Sequence, residues 1–401
     1  VRRLQTVAEA EHIIKSVLVF HGQERLALEA ASAGVTHEGL VADRASPPFN
    51  RATMDGICVS WEAYQAGQRE FAIEGVCSAG APQIRLVNLR SGACEIMTGA
   101  PVPLGADLVI PYEHLQFVSG GSGKKAEVRV TAARTQFENI HLLGSDCGAG
   151  TMILQPGHRL NGPRWGIAAS FGYTGVQVLA QPRIQIVTTG DEVVPVGQLP
   201  QPHQIRGSNG WALLASLRQH GYTKVQVEHV PDDPVRLRRH YEDNVGVHDL
   251  LIYTGGVSMG KFDYLPNLWR DLGVQQHFHQ VSQRPGKPLW FGTDQVHQTH
   301  ILGLPGNPVS CLVCLHRYFL TNRTCFAQLA EDVTFKKDLT LFLPVQIEFQ
   351  ANGVLRAQPL KIQNSGEFTA LAQSDGFVEL PKEKTDFRAG ESYRFFPWDK
   401  W

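Results

Sequence analysis

The chain of 401 residues has almost no net charge: 37 Lys and Arg stand against 38 Asp and Glu, a formal −1. That balance gives no global electrostatic case for nucleic acid or an anionic membrane surface as a partner. No apolar run approaches the ~18 residues that a membrane span needs. The basic start, VRRLQTVAEAEHIIKS, lacks a continuous apolar core behind it, so no secretory signal is expected and the chain reads as soluble and cytoplasmic. Cysteine is sparse and odd in number, seven scattered residues, whereas a secreted disulfide framework is short and cysteine-dense. A reducing compartment fits better. Cys311 and Cys314 do form a C-x-x-C, open to a redox or half-zinc reading. They lie in the apolar run SCLVCLHRYFL, where cysteine packs as a small hydrophobe, and no second C-x-x-C completes a zinc site. There is no internal repeat, no Walker loop and no G-x-G-x-x-G.

What the sequence does contain is enough for two to four domains. Hydrophobic residues at 43% and charged residues at 19% exclude wholesale disorder, and 39 Gly with 23 Pro favour many turns and functional loops. Residues 5–32 carry helical periodicity (Val7, Ala10, Ile14, Val17, then Leu26, Leu28, Ala31). From Pro47 to Thr135 short alternating runs broken by Gly and Pro, such as FAIEGV and LVIPYEHLQFV, predict a β-rich module, with GGSGKK as a turn between two strands. NGPRWGIAASFGY returns to helical texture, so the module reads as an insertion in another domain. From Pro182 to Cys325 apolar strand cores alternate with amphipathic helices, which predicts a largely parallel sheet covered on both faces. After Thr334 the chain is β again, long enough for a small barrel or sandwich.

In an open α/β sheet, ligands bind beyond the carboxyl ends of the strands. Four loops fall at such ends here: Gly190-Asp191-Glu192, Pro231-Asp232-Asp233, Gly255-Gly256-Val257-Ser258-Met259-Gly260-Lys261-Phe262-Asp263, and Pro305-Gly306-Asn307-Pro308-Val309-Ser310 leading into a helix. Free N–H groups at that helix start suit a phosphate or oxyanion. Glu192, Asp232, Asp233 and Asp263 suit a hard cation such as Mg²⁺ held jointly with substrate phosphate. The combination argues for phosphoester or phosphoanhydride chemistry. Each piece also has a plain reading: Asp232-Asp233-Pro234 as an N-cap and first-turn acid, Asn307-Pro308 as cap plus N1 proline. Arg284-Pro285-Gly286-Lys287-Pro288 sets two cations around a rigid turn, either an anion clamp or a solvated basic turn. His277, His279, His297 and His300 have no carboxylate or cysteine at metal spacing and read as structural or exposed.

Seven motifs then occur in one order: PPFNRATMDGICV, EIMTGAPVPLGADLVIPYE, TTGDEVV, HQIRGSN, TGGVSMGKFDY, RPGKPLWFG and GLPGNPVS. Together they resemble the molybdopterin molybdotransferases, MoeA and the E domain of gephyrin, from about residue 5 to 325 and faintly to the end. The resemblance implies a multidomain α/β chain in four parts. These are a helical, elongated linker (1–46 with 136–181), an inserted β-rich domain (47–135), an α/β domain like the MoaB and Mog adenylyltransferases (182–326) and a C-terminal β-barrel (327–401). It implies a homodimer, an adenylyltransferase as pathway partner, and a reaction that takes adenylylated molybdopterin and molybdate, with Mg²⁺, to molybdenum cofactor and AMP. By the same resemblance Asp55 and Thr98 face the α/β site of a partner subunit and act in catalysis with Glu192, Asp233 and Asp263, with Asp146 a further family acid. Glu192, Asp232 and Asp263 are the implied metal ligands. Implied contacts to the pterin nucleotide and its oxyanion are Gly190, Asp191, Ser208, Asn209, Gly255, Gly256, Ser258, Gly260, Arg284, Lys287, Pro288, Pro305, Gly306, Asn307, Pro308, Ser310 and Ser365.

The sequence departs from the family at several places. PPFD-x-S has become Pro47-Pro48-Phe49-Asn50-Arg51, the usual arginine after E-N-I is His141, followed by Leu142 and Leu143, and D-S-N is Gly207-Ser208-Asn209. The first lysine of K-P-G-K-P is Arg284, and the arginine of a barrel F-L-R run is Pro344. These changes touch molybdate handling more than nucleotide binding. They leave open a non-catalytic relative that binds pterin nucleotide or a protein partner, while a related deamidase or adenylyltransferase fits less well with the inserted module and terminal barrel.

Overall fold

The computed structural model describes residues 4–20, 22–30, 33–120, 123–129, 133–258, 263–320, 325–360 and 368–399. Two units separate by their internal contacts, 1–22 with 180–401, and 23–179.

The first unit begins with helix α1 (Val7–Val17), which Thr6 and Glu9 close with a reciprocal capping box. The α/β region follows with β1 (Ile184–Thr189), α2 (Asn209–Gln219), β2 (Val225–Val230), α3 (Pro234–Asn244), β3 (Leu250–Thr254), α4 (Leu265–Asp271), β4 (Gln275–His279) and, after a short strand β5 (Gln283–Arg284), β6 (Trp290–Asp294), then β7 (Thr299–Leu304) and α5 (Pro308–Leu315). The sheet order is β2-β1-β3-β7-β6-β4, with β2, β1, β3 and β7 parallel and β6 reversed. Strands β1, β3 and β7 are buried on both faces, which is why they read as continuous apolar runs. Helix α1 packs its Val7, Ala10 and Ile14 into this α/β core. The sequence reading placed residues 1–46 with the linker; the apolar stripe of α1 is buried against the α/β core.

The terminal region is a closed barrel. Strands β8 (Cys325–Leu329), β9 (Thr340–Phe349), β10 (Leu355–Pro359), β11 (Gly376–Leu380) and β12 (Ser392–Pro397) pair in the ring β9-β10-β8-β12-β11, and β11 returns to β9. Of the two architectures left open, closure decides for the barrel, which leaves no unpaired edge within the ring.

The second unit holds a six-stranded sheet, in the order Leu108–Pro111, Gly56–Val59, Gly92–Ile96, Glu70–Cys77, Gly123–Val128, Leu115–Gly120. The flanking segments pair with each other instead, Gln23–Ala27 with Gly175–Leu179 and Leu40–Val41 with Met152–Leu154, around a helix at Gly162–Ser170. This is the insertion that the texture predicted. The helical periodicity read through 5–32 stops at Val17, however, and Gln23–Ala27 is a strand. Leu26 and Leu28 are spaced by two as well as fitting a helix, and pairing with Gly175–Leu179 overrides the local preference.

Candidate active site

The carboxyl ends of β1, β2, β3 and β7 open into a cleft of about 630 Å³. Its walls carry Gly190, Glu192, Ser208, Asn209, Asp232, Gly255, Gly256, Ser258, Asp263, Pro288, Pro305, Gly306, Asn307 and Pro308, fourteen of the residues expected at the site. Thr188, Thr189, Arg206, Gly207 and Thr254 line it too, and the sequence reading did not assign them there. The signal for the threonines was present in the pairs TTG and YTGG, where a hydroxyl ends a buried strand just before a glycine.

The backbone makes the cleft possible. Gly255 turns with φ +99°, and a Cβ there would lie 2.8 Å from the carbonyl oxygen of Thr189, so the two strand-end loops approach as only glycine allows. Two helix N-termini point toward the space. Helix α2 starts at Asn209 and α5 at Pro308, with Ser208 and Asn307 as their N-cap residues. Asn209 ties these starts together: its Nδ2 donates to Thr254 Oγ1 at 3.0 Å and to the Gly306 carbonyl at 2.7 Å. From below, buried Cys311 donates its thiol to the same Thr254 oxygen at 3.4 Å. The C-x-x-C is thus a pair of packed, hydrogen-bonded thiols, and burial pushes Cys311 up to about 12, far from any redox-active thiolate.

The same cleft carries an acidic wall of Glu192, Asp232 and Asp263. Asp232 accepts the Thr189 hydroxyl, and its own N–H donates to Asp191 Oδ1 at 3.1 Å. Burial raises the Asp232 pKa, the Thr189 hydrogen bond opposes that, and the charges of Asp191, Glu192 and Asp263 raise it further. Like charges gathered this way are destabilising alone and favour a bound cation. All the donors are hard oxygens, the type that suits Mg²⁺. Among the described residues no three acidic, His or Cys side chains form a metal cage. These carboxylates could offer single ligands to a cation, and they do not by themselves enclose one.

Several expected residues lie elsewhere. Asp233 is the N-cap of α3, its carboxylate accepting from Arg236 N at 2.8 Å, and it is not on the cleft wall. Of the two readings held for Asp232-Asp233-Pro234, Asp232 lines the cleft, while Asp233 turns its carboxylate onto the first-turn N–H of Arg236 as the cap. Asp191 acts through the Asp232 backbone. Ser310 is 3% exposed inside α5, and Arg284 and Lys287 are not among the residues lining the cleft; of their turn, Pro288 is. Gly260 and Ser365 lie outside the described residues. His277, His279 and His300 are engaged with Thr293 or the Val257 carbonyl, as structural histidines are.

In the second unit Asp55 and Thr98 are in contact: Thr98 donates to Asp55 Oδ1 from its N–H at 2.6 Å and its hydroxyl at 2.7 Å, and the two bonds hold the Asp55 carboxyl below its ordinary range. The departure at His141 is answered across a strand pair. Arg51 is the register partner of His141, its guanidinium 3.3 Å from Nδ1, and His141 Nε2 lies 2.8 Å from Asp146. Pro344 is buried in barrel strand β9 opposite Phe377, and brings no cation.

Three family models match in succession: the MoeA N-terminal region (domain I and II) over residues 5–172, a probable molybdopterin binding domain over 185–322, and the MoeA C-terminal region (domain IV) over 327–398. The molybdopterin molybdenumtransferase of Synechocystis is 45% identical over 393 residues, covering 98% of this chain and all of the relative. That of Bacillus subtilis is 29% identical, over 97% and 93%. A crystal structure of the molybdopterin biosynthesis MoeA protein from Pyrococcus horikoshii superposes with a TM-score of 0.81 at 25% identity, each chain covered completely. The matched regions meet near 180 and 325, where the sequence texture also changes. With every region matched in order and a relative of 45% identity along its whole length, the chain belongs to the MoeA family of molybdopterin molybdotransferases.

Proposed function

We infer that this chain is a molybdopterin molybdotransferase, inserting molybdate into adenylylated molybdopterin and releasing AMP in molybdenum cofactor biosynthesis. The observation that carries the reading is the convergence, in one cleft, of two helix N-termini with the acidic wall of Glu192, Asp232 and Asp263. The N–H groups at Asn209 and at Val309 and Ser310 suit the phosphate end of a nucleotide, and the glycine loop at 255–256 lets its backbone come close. Mg²⁺ shared between a single carboxylate of that wall, Asp232 first, and the substrate phosphate would neutralise charge on the departing AMP. Arg284 and Lys287 hold the oxyanion at the cleft's edge, a task that needs fixed cations and little reorganisation. Asp55 and Thr98, reaching the site from a second copy of the chain in a homodimer, orient the reacting group. An adenylyltransferase is the class of enzyme that must supply the substrate.

The test is AMP release from adenylylated molybdopterin by the purified chain, with and without molybdate and Mg²⁺. Release that requires both is expected. The departures at His141 and Pro344 favour a second reading, a binder of pterin nucleotide or of a protein partner. Substrate bound but left uncleaved in the presence of molybdate would decide for it. A sedimentation run that gave a stable monomer would remove the shared-site part of the reading.

A further inference from the structure

Beneath the basic turn lies a buried hydrogen-bond network. Gln283, 0% exposed, directly precedes Arg284-Pro285-Gly286-Lys287. Its Nε2 donates to the Gly286 carbonyl at 3.0 Å and to Cys314 Sγ at 3.4 Å, and its Oε1 accepts the Tyr318 hydroxyl. Cys314 donates its own thiol to the same Gly286 carbonyl at 3.7 Å. Both amide hydrogens and the amide oxygen are therefore engaged, the condition under which a buried amide is tolerated. Tyr318 is reached because α5 continues as a wider π-helical turn over His316–Leu320. The fit is close: Gly286 has φ +91°, and a Cβ on it would lie 2.5 Å from Cys314 Sγ and 2.7 Å from Gln283 Nε2. The turn is closed on its other side by Val281 N donating to the Lys287 carbonyl at 2.9 Å.

We propose that Gln283 is a positioning residue for the transferase: through Gly286 it fixes the backbone from which Arg284 and Lys287 take the tetrahedral oxyanion, with Tyr318 and Cys314 locking the amide in place. This rests on the reading of that turn as the oxyanion holder. An amide suits the task. It satisfies the buried carbonyl without adding charge, so the field of the two cations reaches the ligand undiminished, whereas a carboxylate there would pair with them. Helix α5 then supports the site twice, Cys311 under Thr254 and Cys314, one turn on, under Gly286.

The experiment compares wild type, Gln283→Met and Tyr318→Phe, each alone and with Lys287→Ala, by molybdate-dependent AMP release and by thermal melting. Tyr318→Phe deletes a single hydroxyl and keeps the packing, so it serves if Gln283→Met fails to fold. The expected result is a KM for molybdate raised ~3–10-fold with kcat within about twofold, an effect of the size of one lost buried hydrogen bond. That effect should vanish in the Lys287→Ala background, since a residue acting through the turn has nothing left to position. A lowered melting temperature with wild-type KM, or effects that simply multiply with Lys287→Ala, would overturn the proposal while leaving the transferase reading intact. A wild-type chain that releases no AMP would overturn both.

Discussion

Asn209 Nδ2 lies 2.7 Å from the carbonyl oxygen of Gly306, so the first residue of α2 is bonded to the loop that starts α5. The same amide reaches Thr254 at 3.0 Å, and one side chain thereby sets the spacing of the two helix N-termini and the end of β3. Asn209→Ala should cost about 1–2 kcal/mol of stability, the size of lost hydrogen bonds with partners left unsatisfied. Its effect on turnover should be larger, on the order of tenfold or more in kcat/KM, because misplacement of phosphate-binding groups is amplified in the rate. Urea denaturation and AMP release on one preparation separate the two effects.

The acidic wall makes a prediction of opposite sign for stability and activity. Asp232 has a raised pKa in the folded chain, so the native state holds the proton more tightly than the unfolded one. Its contribution is present at low pH and is lost as pH rises from the unfolded carboxylate range through the raised folded value. Asp232→Asn should therefore stabilise the metal-free chain at neutral pH, by no more than about 1 kcal/mol because Asp191 and Glu192 are exposed and screened, while abolishing AMP release. Added Mg²⁺ with nucleotide should raise the melting temperature of the wild type and not of the variant.

How much of this was readable beforehand differs by residue. Glu192, Gly255 and Asn307 were legible because alternation of strands and helices places strand-end loops on one edge, and the periodicity that reveals the alternation is local. Asp232 and Asp233 were not separable, since a capping acid and a site acid are the same residue type before the same proline; only the direction of each carboxylate distinguishes them. Cys311 and Cys314 were correctly read as packed, yet their partners Thr254 and Gly286 are 57 and 28 residues away and leave no local mark. Gln283 carried no signal at all. A lone glutamine before a basic turn looks solvated until the sheet and α5 close over it.

The Asp55–Thr98 pair predicts a displaced pH profile. The two Thr98 hydrogen bonds, backbone first and hydroxyl second, lower the Asp55 pKa. Thr98→Val keeps the N–H and removes the hydroxyl at 2.7 Å, so the Asp55 pKa should rise and the acidic limb of the AMP-release profile should move to higher pH. Thr98→Ser should restore the wild-type limb. A profile unchanged in Thr98→Val would show that Asp55 ionisation does not limit the rate.

The strongest effect on stability should come from Arg317. It is about 2% exposed on the π-helical turn, donates to Glu379 of β11 at 2.6 Å and to Glu11 of α1 at 2.7 Å, and lies over the Phe396 ring. Helix α1, the α/β core and the barrel are thus joined at one guanidinium. Removing it leaves two carboxylates partly buried without their main counter-charge, and Arg317→Met should cost about 3–5 kcal/mol, the usual price of breaking a buried ion pair. The pH dependence follows. Burial alone would raise the Glu11 pKa, but hydrogen bonds from Arg317 and Lys15 hold it down to about 2. A carboxyl lowered in the folded state contributes stability above its unfolded value near 4.5 that is lost as pH falls toward 2. Urea titrations between pH 6 and 2 should show the wild type losing more stability than Glu11→Gln, in which there is no carboxylate to protonate. Parallel slopes for the two chains would mean that Glu11 and Arg317 pack together without a net electrostatic gain, as buried ion pairs sometimes do.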